Sequence, residues 1–300
     1  MDVRILLAFA ATWLVWGSTY LFLALVVREL PPFLVSGTRN LTAGVLMFGW
    51  LRLRGAAAPT ALQWRNAVIV GVLLLGVGNG AVTWSAQREP SGVVALVVSL
   101  VPLWLLVFGW LGKKGVKPAT LEVVGVLLGV VGIAMLAMPH TDAAGTATTG
   151  VSLLGLSVLL MSTLSWSGGS LFARQLPPMP EPMLGSGMEM MAGGTALLLL
   201  SMLTNEWASV DVARITWKGI GSLLYLIAFG SIMGFTAYKY LLARVRPALV
   251  GTYAFVNPVV AVALGWAVLG EALTWPVAIA MVTIVTAVAM ISLRPYLSRR

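Results

Sequence analysis

Two charged residues stand in the middle of long apolar runs, Arg39 and Glu189, and they occupy places 150 positions apart. A charge at membrane depth costs on the order of several kcal/mol and is normally turned toward a partner, a water-filled cavity or a proton relay. The two could pair with each other. Depth opposes this: each lies about 10 Å from its helix entrance at 1.5 Å per residue. The entrances are on opposite faces of a hydrocarbon core of about 30 Å, which leaves about 10 Å between them in depth. In the other reading Arg39 reaches outward and Glu189 is satisfied by hydroxyls and backbone near the cytoplasm. Glu189 is also a candidate proton-binding group. Two amides lie in apolar surroundings, Asn79 and Asn257, and each needs a hydrogen-bond partner there. Pro102 and Pro258 fall in mid-run, where proline removes a backbone bond and frees carbonyls, and Ser99 lies close to the first of them. As symmetric kinks, the prolines are expected to act as hinge or gate. Trp16, Tyr20, Trp84, Trp104, Trp166 and Tyr253 are the aromatic candidates for a cavity wall, with Trp13 and Tyr238 beside them. A cavity of aromatics, amides and hydroxyls with few charges suits zwitterionic or amphipathic small molecules. It suits phosphorylated sugars poorly.

Other chemistries lack their residues. There is no cysteine and a single histidine, His140, which falls in a loop. Thiol catalysis, disulfides and Cys-ligated metals are therefore excluded, and no Ser–His pair forms at depth. Neither a His cluster nor an aspartate in a span supports a metal site, and no phosphate-binding Gly-x-x-x-x-Gly-Lys-Ser/Thr stretch occurs. The expectation is no enzyme, no metal and no cofactor.

The elements that must position these residues are membrane helices. Hydrophobic residues make up 59% of the chain, charged residues only 10%, and mean hydropathy is +0.95. So few charges cannot cover a soluble surface of this length. Lipid leaves backbone groups unsatisfied unless they pair internally, so the apolar runs of about 20 residues read as helices. Ten candidate spans result, near 5–27, 33–51, 66–86, 91–112, 118–138, 150–172, 183–203, 218–241, 248–269 and 275–293. The run from Ile5 to Val27 is too long for a signal-peptide core and reads as the first span. Trp50, Trp64, Trp110, Trp207, Trp217 and Trp275 lie near span ends, where interfacial anchoring is expected. With the N-terminus inside, 14 of the 19 lysines and arginines fall on the cytoplasmic side, Lys239 among them. Four fall outside (Arg28, Arg88, Arg214, Lys218), and Arg39 remains in a helix. Both termini are thus expected in the cytoplasm. The net charge of +9 is read as orientation charge, not as nucleic-acid binding.

The chain also repeats itself. Trp16-Gly-Ser-Thr-Tyr-Leu-Phe22 aligns with Trp166-Ser-Gly-Gly-Ser-Leu-Phe172 at an offset of 150, as do Ser36-Gly37 with Ser186-Gly187 and Ala43-Gly44 with Gly193-Gly194. Trp64-Arg65 matches Trp217-Lys218 at 153, and Pro102 matches Pro258 at 156. The expected organisation is a first five-helix repeat over 1–140, a Gly/Thr-rich linker over 141–149 and a second repeat over 150–300. An odd number of spans per unit inverts the second copy, the arrangement that lets a central cavity open alternately to each side.

Paired five-helix units, Trp16-Gly17-Ser18, an arginine in the second span and Leu269-Gly-Glu-Ala-Leu-Thr274 together resemble the EamA-type exporters of the drug/metabolite transporter superfamily, most of all their bacterial amino-acid exporters. In the first copy, Gly112-Lys113-Lys114 replaces the Gly-Glu pair, so that carboxylate is present only as Glu271. The resemblance implies a multi-pass protein of the bacterial inner membrane that exports hydrophobic or neutral amino acids by alternating access. It also lends weight to Arg39. The expected partners are this substrate and the bilayer, with no nucleic acid, and the chain is expected to act as a monomer. The alternatives are a multidrug or cationic-compound exporter and, further off, an intramembrane enzyme or a structural membrane protein.

Overall fold

The computed structural model describes residues 2–111, 119–137, 140–141, 147–148, 152–177, 179–245, 253–271 and 273–297. Its helices are α1 (Val3–Val26), α2 (Pro32–Leu53), α3 (Ala61–Ala86), α4 (Ser91–Val98), α5 (Val101–Leu111), α6 (Thr120–Ala137), α7 (Leu153–Gln175), α8 (Pro182–Leu203), α9 (217–244), α10 (253–269) and α11 (Trp275–Leu297). At the junction of the first repeat and the expected linker, His140–Thr141 pairs antiparallel with Ala147–Thr148, a two-residue ladder among described elements that are otherwise helical. The Lys113/Lys114/Lys117 loop and Arg246 lie outside the described residues.

Local chemistry sets the helix ends. Proline occupies the first position of α2 and of α8, where its missing N–H costs nothing. Thr60 and Gln63 cap α3 reciprocally, and Ser152 and Thr216 cap α7 and α9 with their hydroxyls. Gly55, at φ +90°, ends α2. Among the described residues, five helices are long and apolar enough to cross a membrane: α1, α3, α7, α8 and the 217–241 part of α9. Shorter apolar segments cover Ser91–Leu105, Thr120–Gly132, Val256–Leu269 and Trp275–Ala287.

The single kinked span expected over 91–112 is instead two helices. Pro102 offers no N–H to the Val98 carbonyl, and the chain turns at Ser99–Leu100 before α5 begins. Its counterpart Pro258 stays inside α10, which then widens into a π-helical turn at Gly265–Leu269. Wide turns also interrupt α1 (Ala11–Val15), α3 (Val72–Asn79) and α9 (Leu226–Met233). The last two fall at equivalent places in the two halves, and such turns loosen the backbone ladder where function needs it.

Packing follows the repeat. α3 packs on α7 as α9 packs on α1; α5 on α7 as α10 on α1; α3 on α8 as α9 on α2. Equivalent helices also meet each other: α2 with α8, α4 with α10, α6 with α11. α2 and α8 cross antiparallel on the glycines that the self-comparison aligned. A Cβ on Gly44 would stand 2.6 Å from the Met191 nitrogen and 2.7 Å from the Gly187 oxygen, while one on Gly194 would strike the Leu41 backbone. Small residues let helices approach closely where lipid supplies no hydrophobic drive. Large aliphatic side chains cover the outside instead: Leu127 is 61% exposed and Val282 62%, as expected where the solvent is lipid.

This crossing makes a prediction. Gly44→Ala should destabilise the protein by about 1–3 kcal/mol, because backbone on both sides cannot yield. Gly49→Ala, with nothing within 4 Å, should cost nothing. Thermal unfolding of the two variants in detergent checks the contrast, and equal midpoints would refute the close crossing.

Candidate functional site

Helices from both halves enclose a central cavity of about 100 Å³. The first half contributes Trp16, Thr19, Tyr20, Arg39, Asn40, Asn79 and Val82 to its wall; the second contributes Ser162, Thr163, Trp166, Met190, Ser231, Phe235, Tyr253 and Asn257. The repeated Trp16 and Trp166 face a common space from opposite halves. Trp16 donates its indole N–H to the Gly230 carbonyl at 3.1 Å, in the wide turn of α9, and meets Tyr253 edge-on with centroids 5.4 Å apart. Trp166 lies beside Gly78, in the equivalent turn of α3. Ser162 donates to the Gly78 carbonyl at 2.7 Å and Ser165 to that of Leu73 at 2.7 Å. Two serine hydroxyls and the Trp16 indole therefore bond carbonyls that the widened turns present.

The polar groups have definite partners. Arg39 is 6% exposed, and its Nε donates to the Ser231 hydroxyl at 2.7 Å. It is the only charged side chain among the described residues lining the cavity. Asn40 donates to Ser36 at 3.4 Å, and Ser36 to the Asn79 amide oxygen at 2.7 Å, a chain that joins α2 to α3. With its amide oriented to satisfy its neighbours, Asn257 donates to the carbonyls of Trp13 (3.0 Å), Thr12 (3.2 Å) and Tyr253 (3.2 Å), tying α10 to the wide turn of α1.

Arg39 and Glu189 do not meet. Arg39 turns into the cavity, whereas Glu189 bonds Lys239 at 3.2 Å. Their side chains, 12% and 23% exposed, line a separate cleft of about 340 Å³ at the start of α3 and the end of α7. Both sequence alternatives are corrected. Arg39 does not reach outward, and Glu189 takes a cation rather than hydroxyls, because Lys239 lies within α9 on the helix face toward α8. Pro102 and Pro258 do not line the cavity as described, although the neighbouring Val98, Val101 and Asn257 do.

Three further residues that the sequence places in the cavity lie elsewhere. The Trp84 ring stacks under Arg88, its neighbour one turn on, at 3.8 Å, in an outer cleft. Ser99 turns its hydroxyl back to the Leu96 carbonyl at 2.6 Å. Trp104 stands behind the wall and donates to Thr163 at 2.8 Å. The sequence reading missed Thr19, Asn40, Ser162, Thr163 and Ser231; hydroxyls and an amide within apolar spans were the available signal.

Two halves of one helical design around a cavity that mixes aromatic and polar groups form the architecture of a membrane transporter. Residues 3–138 and 153–293 each match the EamA-like transporter family, and the chain belongs to that family. It is 39% identical over 268 residues to the uncharacterized inner membrane transporter YedA of Escherichia coli (strain K12), covering 89% of this chain and 83% of that protein. Protein PecM of Dickeya dadantii is 27% identical over 262 residues, covering 87% and 82%. One crystal structure shares the fold with a TM-score of 0.68 at 19% identity, covering 100% of this chain and 99% of its own. The protein is thus a multi-pass inner-membrane transporter, of a transporter family rather than an enzyme family.

Proposed function

We propose that the protein exports neutral or hydrophobic amino acids, or similar small zwitterions, by alternating access between two inverted five-helix repeats. In this reading ten spans cross the membrane, both termini are cytoplasmic, and the repeats are joined by the 141–149 linker. The observation that carries the substrate class is the wall of the central cavity. Arg39 supplies one fixed cation there, with no carboxylate among the described lining residues. A guanidinium carries five N–H donors in a planar fork, and among the described residues the bond given for it is that of Nε to Ser231. The rest of the fork fits a carboxylate with two parallel bonds. Trp16, Trp166, Tyr253 and Phe235 accept an apolar or aromatic side chain. The substrate ammonium finds carbonyls, hydroxyls and the Asn79 and Asn40 amides, and the aromatic faces add cation–π attraction. A purely cationic drug would meet Arg39 without compensation, which disfavours the multidrug alternative. Outward direction rests on the likeness to exporters of the family.

The test is uptake of labelled threonine, methionine, leucine and phenylalanine by the purified protein in liposomes. Saturable uptake with mutual competition is expected. Transport of cationic dyes, with no amino-acid uptake, would overturn the substrate class.

A further inference from the structure

Four glutamates tie the two repeats together at one end of the bundle, and at that end only among the described residues. Each follows a helix C-terminus by two or three residues, and each caps the start of a helix in the opposite repeat. Glu29, after α1, accepts from the Thr216 N–H at 2.8 Å and from its hydroxyl at 2.7 Å, at the start of α9. Glu89, after α3, accepts from the Ser152 N–H at 3.2 Å and from its hydroxyl at 2.6 Å, at the start of α7. Glu206, after α8, accepts from the N–H groups of Phe33 (3.2 Å) and Leu34 (2.8 Å) in α2. Glu271, after α10, accepts from the Ser91 N–H at 2.8 Å and from its hydroxyl at 2.9 Å, at the start of α4.

The seats are shaped for these side chains. In a capping box, the third residue of the helix is Glu or Gln and bonds back to the N-cap N–H. In α7 and α9 that third residue is glycine, Gly155 and Gly219, and a Cβ on either would strike the incoming carboxylate of Glu89 or Glu29. The other repeat therefore supplies the acid that the helix itself lacks. The opposite end is built the other way. There α3 closes its own box through Gln63, which accepts from the Thr60 N–H at 2.8 Å, and Glu122 of α6 accepts from the Ala119 N–H at 2.7 Å, three residues before it. At an offset of 150 the counterparts of Glu29 and Glu206 at that end are Met179 and Ala56, neither acidic, and Glu181, two residues on, is the N-cap of α8 and makes no side-chain cap bond.

We propose that Glu29, Glu89, Glu206 and Glu271 are the latch that closes the external end of the transporter, and that opening the cavity outward requires their release. A carboxylate on a helix N-terminus is held by the free N–H groups and the helix dipole, and it holds only while the two helices stay in register. A split box thus reports and stabilises one arrangement of the repeats. The cleft of Glu189 and Lys239 lies at the other end, beside the unlatched helix starts of α3 and α8. The proposal rests on the alternating-access reading and adds to it which groups hold the gate.

The chain has no native cysteine, so a single reporter can read the gate. Val82→Cys, in the cavity wall, is labelled with a membrane-impermeant maleimide from each face of the membrane, in spheroplasts and in inverted vesicles. Glu29→Ala combined with Glu271→Ala is expected to raise labelling from the external face at least several-fold and to lower it from the cytoplasmic face. The corresponding Gln variants keep size and one acceptor oxygen and should shift labelling less, which serves where the Ala variants fold poorly. Asp211→Ala, which removes a carboxylate that caps only its own turn, should change neither rate. Unchanged labelling from both faces, or an equal rise from both, overturns the latch. A rise confined to the cytoplasmic face overturns the external placement of the gate. Loss of the latch effect in protein that still transports amino acids overturns the latch and leaves the transport reading in place.

Discussion

Replacing Arg39 with alanine is expected to lower kcat/KM for a zwitterionic amino acid roughly 100-fold, the equivalent of about 3 kcal/mol for a lost two-point carboxylate contact. The side chain is buried on the cavity wall, and Ser231 fixes its Nε from across the repeat interface. The remaining donors are thereby held in one plane before substrate arrives, so the loss should appear mainly in KM. Arg39→Lys keeps the charge but offers one point instead of a fork, and should fall between wild type and alanine, at about a tenfold loss. Ser231→Ala leaves the guanidinium in place with less restraint and should cost less than either. The control is a substrate without the carboxylate: uptake of the corresponding amine, a cation that Arg39 repels, should not fall on Arg39→Ala and should rise instead. If the amine and the amino acid lose equally, Arg39 shapes the cavity and does not read a carboxylate.

What could be read in the sequence was whatever depends on a residue's own position along its helix. Trp16 and Trp166 announced the cavity because the same motif recurs at an offset of 150, and the glycines matched by that offset lie at the α2–α8 crossing. Arg39 stood out because nothing else in its run is charged. What failed to show was anything set by which helices become neighbours. Lys239 was counted with the cytoplasmic loops because it sits near the end of an apolar run, yet its side chain turns along the helix face toward Glu189. Trp104 was indistinguishable from a lining tryptophan, since only the placement of α7 reveals that Thr163 stands in front of it. Glu29, Glu89 and Glu206 looked like ordinary loop acids, and Glu271 stood out only as part of the Gly-Glu motif; the partners of all four lie more than fifty residues away, in the other repeat. Trp84 is the exception, because Arg88 one turn later on the same helix already signals a cation–π pair.

The ion pair of Glu189 and Lys239 carries the other large expectation. Glu189→Gln or Lys239→Gln alone should destabilise the protein by about 3–5 kcal/mol, because each leaves its former partner charged and shielded from water. Removing both, as Glu189→Gln with Lys239→Met, should recover most of the loss, since the desolvation cost disappears together with the attraction. Exchanging the two, Glu189→Lys with Lys239→Glu, should also recover it. Lys239 additionally lies 5.3 Å above the ring of Phe235, and Phe235 forms part of the central cavity wall. The Lys239→Gln variant should therefore weaken substrate affinity as well as stability, and the double variant should restore stability. Thermal unfolding and liposome uptake, measured on the same preparations, separate a structural tether from a proton carrier. A tether predicts that the Glu189→Gln/Lys239→Met protein transports with the pH profile of wild type. If its stability recovers while the pH dependence vanishes, Glu189 carries protons and the tether reading falls.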